Sequence, residues 1–160
     1  MKAIALSGGI DSLVAAYVLK KQEGEVIAIH FITGYDSGDP GRVESLGKQI
    51  GICTEFVDCT RDFQSQVVDY FVQTYQRGKT PNPCLVCNPS IKFGTVLSAA
   101  RKLGASSLAT GHYARTETDE NGRFRLFRGA DRQKDQSYFL AFLSQEQLRA
   151  ACFPLGNMTK

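Results

Sequence analysis

An α/β fold, a mostly parallel sheet with helices on both faces, is what this sequence predicts, from three observations. Short apolar or β-rich runs (KAIAL, EVIAIHFIT, CTEFVDCT, SSLATGHY) alternate with stretches whose apolar residues recur every three or four positions. The first two runs are apolar nearly throughout, the pattern of strands covered on both faces. The 160 residues, 42% hydrophobic and 22% charged, suit a single domain with a substantial core.

Each element follows in order. Residues 2–6 read as a buried strand, SGGIDS as a glycine turn, and LVAAYVLKK as a helix closing on Lys20 and Lys21. Residues 25–33 form the second strand, GYDSGDPGR a loop, VESLGKQIG a helix, and residues 53–60 the third strand. The spacing of DFQSQVVDYFVQTYQR predicts a long amphipathic helix over 62–77 capped by Asp62. Its aromatics Phe63, Tyr70, Phe71 and Tyr75 follow the helical period and are assigned to the core. A proline loop leads into a helix from Ile91 to Leu103, and residues 106–113 make a fourth strand. ARTETDE and RFRLFRG, separated by Asn121-Gly122, form a small hairpin added to the sheet.

Charge and cysteine content restrict the function classes. Nineteen Lys+Arg against sixteen Asp+Glu leave a net charge of +3, which permits an anionic partner without the strong bias of a DNA-coating protein. Met1 is followed at once by the strand-like KAIAL and no run of 18 apolar residues occurs, so neither export nor membrane spanning is expected and the cytoplasm is the expected compartment. Thiols stay reduced there, so Cys53, Cys59, Cys84, Cys87 and Cys152 are fillers, catalytic thiols or metal ligands rather than a disulfide framework. Cys152, in the helix-like LRAACF, reads as a buried filler.

The motif with the most chemical content is SGGIDS, Ser7 to Ser12, because an open parallel sheet binds ligands where a strand hands over to its helix. Adjacent glycines let N–H groups turn inward, Ser7 and Ser12 add hydroxyls, and the helix N-terminus adds partial positive charge, together a phosphate cradle. It is neither a GxxxxGK[ST] loop nor a GxGxxG fingerprint. Asp11 beside such a cradle is electrostatically awkward unless a divalent cation lies between, and ATP with Mg²⁺ reconciles the two. The second motif, TPNPCLVC, sets Cys84 three residues before Cys87 and suits a redox couple, half a metal site or a sulfur-handling site.

SGGIDS at the first strand–helix turn resembles the pyrophosphate (PP) loop of the ATP pyrophosphatases, whose fold is adenine nucleotide α-hydrolase-like, a Rossmann-like class. With GKTPNPCLVCNPSIKFG (78–94), ATGHYAR (109–115) and KDQSYFL (134–140) in series, the chain resembles the tRNA-specific 2-thiouridylases of the MnmA/TrmU type. The resemblance implies that Ala5, Leu6, Ser7, Gly8, Gly9, Ile10, Asp11 and Ser12 hold ATP phosphates, with Asp11 also counted in the catalytic set. It sets Phe31 near the adenine and Gly111 in the nucleotide pocket. Asn82, Pro83 and Cys84 would face the target uridine, Lys134, Asp135 and Gln136 would contact tRNA, and Cys87 would be the first catalytic cysteine, with Cys84 also counted in the catalytic set. His112 is either a hydrogen-bond donor of its motif or structural.

The implied reaction is ATP-dependent adenylation of the C2 oxygen of a wobble uridine, followed by its replacement with sulfur from a cysteine persulfide supplied by a sulfur-donor protein. A thiolate or persulfide is a strong nucleophile at neutral pH, so a cysteine beside an adenylating site has an intelligible task. Two departures stand out. Cys84 occupies a position where the family usually has aspartate, and the family's second cysteine, central domain and C-terminal β-barrel have no counterpart in these residues. The chain is therefore expected to be the N-terminal catalytic domain of a longer protein. Cys84 and Cys87 are also candidate ligands of an iron–sulfur (4Fe–4S) cluster completed by a further cysteine, as in some related sulfur transferases. Other readings are an ATP pyrophosphatase acting on a small molecule, such as an amide ligase or a deazapurine nitrile synthase, and a non-catalytic nucleotide-binding module.

Overall fold

The computed structural model describes residues 1–36 and 39–160; Ser37 and Gly38, inside the expected loop, lie outside the described residues. Five strands, β1 (Lys2–Ala5), β2 (Val26–Ile32), β3 (Thr54–Asp58), β4 (Leu108–Ala109) and β7 (Ala151–Cys152), form one sheet in the order β3-β2-β1-β4-β7. Every neighbouring pair is parallel. Alternate residues of β1 divide the interior. Ala3 and Ala5 join Ile29, Ile91, Phe93, Val96 and Leu97 on one face, and Ile4 packs with Ala15, Ala16, Leu19 and Val43 on the other. Both faces are thus covered by helices, as the near-continuous apolar runs require.

Helix α1 (Ile10–Glu23) follows β1, and α2 (Pro40–Gln49) lies between β2 and β3. Two long helical stretches each contain a π segment. The first runs from α3 (Thr60–Phe63) through Gln64–Val68 into α4 (Asp69–Gln76), and the second from α5 (Pro83–Cys87) through Asn88–Val96 into α6 (Leu97–Lys102). After β3 the chain crosses to the opposite side of β1, so the strand order reverses between β1 and β4. The ends of those two strands diverge there and leave a crevice.

Several expectations are corrected. α1 begins at Ile10, so Ile10, Asp11 and Ser12 belong to its first turn. α2 begins at Pro40, three residues early, because the Asp39 side chain accepts from Gly41 N–H and caps it. Thr60, not Asp62, opens α3; Asp62 instead accepts from Thr95 Oγ1 at 2.6 Å and ties the two long helices together. Of the four aromatics assigned to the core, Phe71 and Tyr75 are exposed, stacked edge to face at 5.0 Å. They lie on the outer side of a helix whose inner side is only partly covered.

The helix expected from Ile91 begins at Pro83, where Asn82 caps it by accepting from Leu85 N–H and proline takes the first position. β4 is short: only Leu108 and Ala109 of the expected strand 106–113 pair as a strand, and Thr110, Gly111 and His112 beyond it line the crevice. The helix before Cys152, α7 (Gln145–Ala150), ends at Ala150, and Ala151–Cys152 pair with β4 as the edge strand. The hairpin, β5 (Ala114–Thr118) with β6 (Phe124–Arg128), is a separate antiparallel sheet. Its loop is organised by the Asp119 carboxylate, which accepts from Asn121 N–H, Arg123 N–H and Arg125 Nε. No helix among the described residues is long and apolar enough to cross a membrane.

Candidate active site

The crevice between β1 and β4 is a cleft of about 190 Å³ lined by Ala5, Ser7, Asp11, Ser12, Phe31, Lys92, Thr110, Gly111, His112 and Gln136. Its floor is the loop Ser7 to Ser12, which is held by its own hydroxyls. Ser12 Oγ donates to the Gly9 carbonyl at 2.8 Å and accepts from Ser7 N–H at 3.2 Å, which leaves Ser7 Oγ to donate to it at 3.1 Å. No side chain caps the N-terminus of α1, so its first N–H groups face the crevice with the positive end of the helix dipole.

The two glycines of this loop differ. Gly8 has φ +82, a left-handed conformation that favours glycine. Gly9 has φ −81, and a Cβ there would meet only Ser7 Oγ at an ordinary 3.5 Å. The fold does not need glycine at position 9. Gly111 is constrained by the fold, since a Cβ on it would lie 2.9 Å from both the Asp11 carbonyl carbon and Ser12 N.

Asp11 has both carboxylate oxygens engaged: Tyr113 donates its hydroxyl to Oδ1 at 3.3 Å and Lys160 Nζ donates to Oδ2 at 2.8 Å. Asp11 with the hydroxyls of Ser7 and Ser12 brings an all-oxygen set to the cleft, the ligand type that Mg²⁺ takes. On the β4 side, His112 Nδ1 lies 2.7 Å from Thr110 Oγ1. Burial pushes His112 down to about 3, with the charge of Lys92 acting in the same direction. The imidazole is therefore held neutral and fixed against Thr110.

The cysteine pair sits on α5, immediately before the π segment. Cys84 is exposed and Cys87 half-buried. Burial pushes the Cys87 thiol up, Lys92 draws it back, and Cys84 adds to the rise. Among the described residues no group of three or more His, Cys, Asp or Glu side chains gathers to hold a metal, so the pair offers a cluster two ligands. Asn82 and Pro83 are half-buried beside them, with the Asn82 oxygen engaged as the helix cap.

The motif KDQSYFL joins the same region. Gln136 N–H donates to the Tyr113 carbonyl at 3.0 Å, and Gln136 Oε1 accepts from Tyr113 N–H at 3.2 Å. Asp135 turns inward, accepting from Gly129 N–H at 3.0 Å and from Ser137 Oγ at 3.0 Å. Burial pushes its carboxyl up, and these hydrogen bonds more than offset that, so its pKa is lowered. Its oxygens therefore organise the turn, while Lys134 is exposed.

Of the residues expected at the nucleotide, Ala5, Ser7, Asp11, Ser12, Phe31 and Gly111 line the cleft. Leu6 is fully buried in the core and Ile10 is 63% exposed, so neither side chain forms its wall. Gln136, expected at tRNA, lines the cleft as well. The sequence reading did not single out Lys92 or Thr110. Lys92 lies in IKFG, five residues after Cys87, and nothing in its type or spacing distinguished it from a surface lysine.

The model of the family described as "tRNA methyl transferase HUP domain" matches residues 2–160. Among curated proteins, the chain is 58% identical over 159 residues to the tRNA-specific 2-thiouridylase MnmA of Desulfosudis oleivorans, covering 99% of this chain and 44% of that protein. It is 47% identical over 173 residues to the protein of the same name from Geotalea uraniireducens, covering 98% of this chain and 46% of the relative. With that of Lactococcus lactis the identity is 42% over 167 residues, covering 98% and 44%. The chain thus spans less than half the length of these relatives. The parallel sheet, the loop at its switch point and a match over nearly every residue agree: the chain belongs to the tRNA methyl transferase HUP-domain family.

Proposed function

We propose that this chain is the adenylating domain of a tRNA 2-thiouridylase, in which ATP activates the C2 oxygen of a uridine and the terminal sulfur of a cysteine persulfide displaces it. The observation that supports this reading best is a juxtaposition. The loop Ser7 to Ser12, with its carboxylate Asp11, lines one cleft with Lys92, which comes from the helical stretch that begins at Pro83 and carries Cys84 and Cys87 before it, outside the cleft lining.

The uridine C2 oxygen attacks the α-phosphorus, the bond to the bridging oxygen breaks, and pyrophosphate leaves from the Ser7–Ser12 loop. The terminal sulfur of a cysteine persulfide, charged by a sulfur-donor protein, then bonds to C2 as the C2–O bond breaks and AMP leaves. A second thiolate attacks the inner sulfur, the S–S bond breaks to free the 2-thiouridine, and the resulting disulfide is returned to thiols by a thiol reductant. Asp11 would hold Mg²⁺ against the phosphates, the ion supplying charge neutralisation there. Cys87 would be the thiol facing the activated carbon, and Lys134 a contact to the RNA backbone. A methyl transfer gives the phosphate loop no comparable task. An iron–sulfur cluster would need a third thiolate from outside the described residues, and no step here depends on one.

Pyrophosphate release from ATP, with and without tRNA, tests the reading in the complete protein that contains this chain. Stimulation by tRNA, with sulfur incorporation lost in Cys87→Ala, is expected. Release indifferent to tRNA, or stimulated instead by small amines or acids, would overturn it in favour of a small-molecule ATP pyrophosphatase.

A further inference from the structure

Lys92 is the unneutralised cation of the cleft. It is half-buried, lines the cleft wall, and among the described residues takes part in no ion pair. The carboxylate that lines the same cleft, Asp11, is already engaged by Lys160 and Tyr113. Burial lowers the pKa of Lys92, and only the sulfurs of Cys87 and Cys84 act to raise it. An ammonium withdrawn from water without a counter-charge is destabilising, and such a group in a cleft marks a place where an anion arrives.

The backbone explains how Lys92 comes to stand beside Cys87. Five residues along an ordinary α-helix would put the two side chains roughly 140° apart around the axis. The π segment Asn88–Val96 starts directly after Cys87, and its wider turn, in which each N–H reaches back five residues, brings residues five apart onto one face. The sulfur and the ammonium accordingly perturb each other's proton affinity. Across the cleft, His112 at the end of β4 also feels the charge. Lys92 therefore lies between the cysteine helix and the nucleotide wall.

We propose that Lys92 binds the α-phosphate of the nucleotide, the phosphate nearest Cys87 when the terminal phosphates occupy the Ser7–Ser12 loop. The inference rests on the adenylating function proposed above and adds a phosphate-binding residue to it. A charged hydrogen bond from the ammonium would hold the phosphate whose phosphorus is attacked and would remain in place as AMP departs.

The test compares the protein with its Lys92→Met and Lys92→Arg variants, measuring dissociation constants for adenosine, AMP and ATP by calorimetry and the thermal midpoint of each unliganded protein. Lys92→Met should weaken AMP and ATP by about tenfold or more, the loss of one charge-assisted hydrogen bond, while adenosine binding changes less than about twofold. Its unliganded midpoint should stay level or rise, because an unpaired cation has been replaced by an apolar group of similar length. Lys92→Arg should restore much of the AMP affinity.

Unchanged AMP affinity in Lys92→Met would overturn the assignment and leave the nucleotide reading standing. Equal losses for adenosine and AMP with a lowered midpoint would overturn it in favour of a scaffold role. A parent protein that binds none of the three would overturn the nucleotide reading, and this inference with it.

Discussion

Asn88, 1% exposed, donates from Nδ2 to the carbonyl oxygen of Phe139 at 2.8 Å, across 51 positions of sequence. The bond fastens the helix that carries Cys84 and Cys87 to the short 3₁₀ turn Ser137–Leu140 that follows Lys134, Asp135 and Gln136. Two motifs far apart in the chain thereby become one surface. Replacing Asn88 with alanine leaves the Phe139 carbonyl without its partner in the interior, which should cost about 1–3 kcal/mol. Urea unfolding reads this directly; an unchanged midpoint would show that the bond contributes nothing to holding the two segments together.

Gly9 and Gly111 should separate ligand access from folding. Gly9→Ala meets no backbone and should change stability by less than about 1 kcal/mol, yet under the proposed function its methyl group would stand where phosphate approaches. Gly111→Ala pushes a carbon to 2.9 Å from Ser12 N and the Asp11 carbonyl carbon, both backbone atoms, and should cost about 1–3 kcal/mol as well as ATP affinity. Nucleotide binding and chemical denaturation of both variants check the contrast. ATP binding undiminished in Gly9→Ala would mean that phosphate does not approach the loop there.

The sheet was legible because a parallel strand covered on both faces has a composition of its own, as in KAIAL and VIAIHFI, and because glycine and serine clusters mark a strand-to-helix turn. The start of the cysteine helix was misread although its signal was present. Asn82-Pro83 is a cap followed by proline in the first position, and two prolines close together looked like a loop. The π segments were not legible, since the apolar spacing of a helix with one wide turn averages to that of an α-helix. For the same reason Lys92 could not be distinguished: at α-helical geometry it would point away from Cys87. Cys152 and the exposed Phe71 and Tyr75 depended on tertiary packing, which decides whether a short run joins a sheet and which side of an amphipathic helix remains uncovered.

His112 should contribute a pH dependence of known sign. Burial holds its folded pKa at about 3 against an ordinary 6.5, so the folded protein binds fewer protons than the unfolded chain between those values. That stability is fully present above pH 6.5 and is lost progressively as pH falls toward 3. At roughly 1.4 kcal/mol per pH unit, the loss between pH 6.5 and 5 is on the order of 2 kcal/mol, before most carboxylates titrate. Urea unfolding at pH 7, 6 and 5 measures the slope, and His112→Gln should flatten it. An equal slope in that variant would assign the dependence to other groups.

The cysteines should react in the order of their burial. Cys84 is exposed, Cys87 is half-buried with its thiol pushed up, and Cys59, 1% exposed, is pushed up to about 11, chiefly by burial. Iodoacetamide near neutral pH should modify Cys84 well before Cys87, and Cys59 only on unfolding. Raising the pH should accelerate Cys87, because its thiolate forms above the ordinary range. Cys59 carries the opposite linkage to His112: its contribution to stability is present below pH 9 and is lost as pH rises toward 11. Mass spectrometry of timed digests reports the order, and Cys87 modified ahead of Cys84 would contradict it.

Asp11 provides the sharpest separation of function from stability. Its ion pair with Lys160 is short, 2.8 Å, but the two side chains are 36% and 42% exposed, and a pair so open to solvent contributes at most about 1 kcal/mol. Asp11→Asn retains an oxygen for the Tyr113 hydroxyl and should leave the unfolding midpoint nearly unchanged. An amide does not supply the negative charge that a divalent cation needs, so the variant should lose the dependence of ATP affinity on Mg²⁺. Lys160→Met should act in the reverse direction, releasing the carboxylate from its ammonium and steepening that dependence. Titrating ATP into the three proteins at several Mg²⁺ concentrations decides the matter. A normal Mg²⁺ response in Asp11→Asn would exclude Asp11 as the metal-holding carboxylate and leave its bonds to Lys160 and Tyr113 as its whole role.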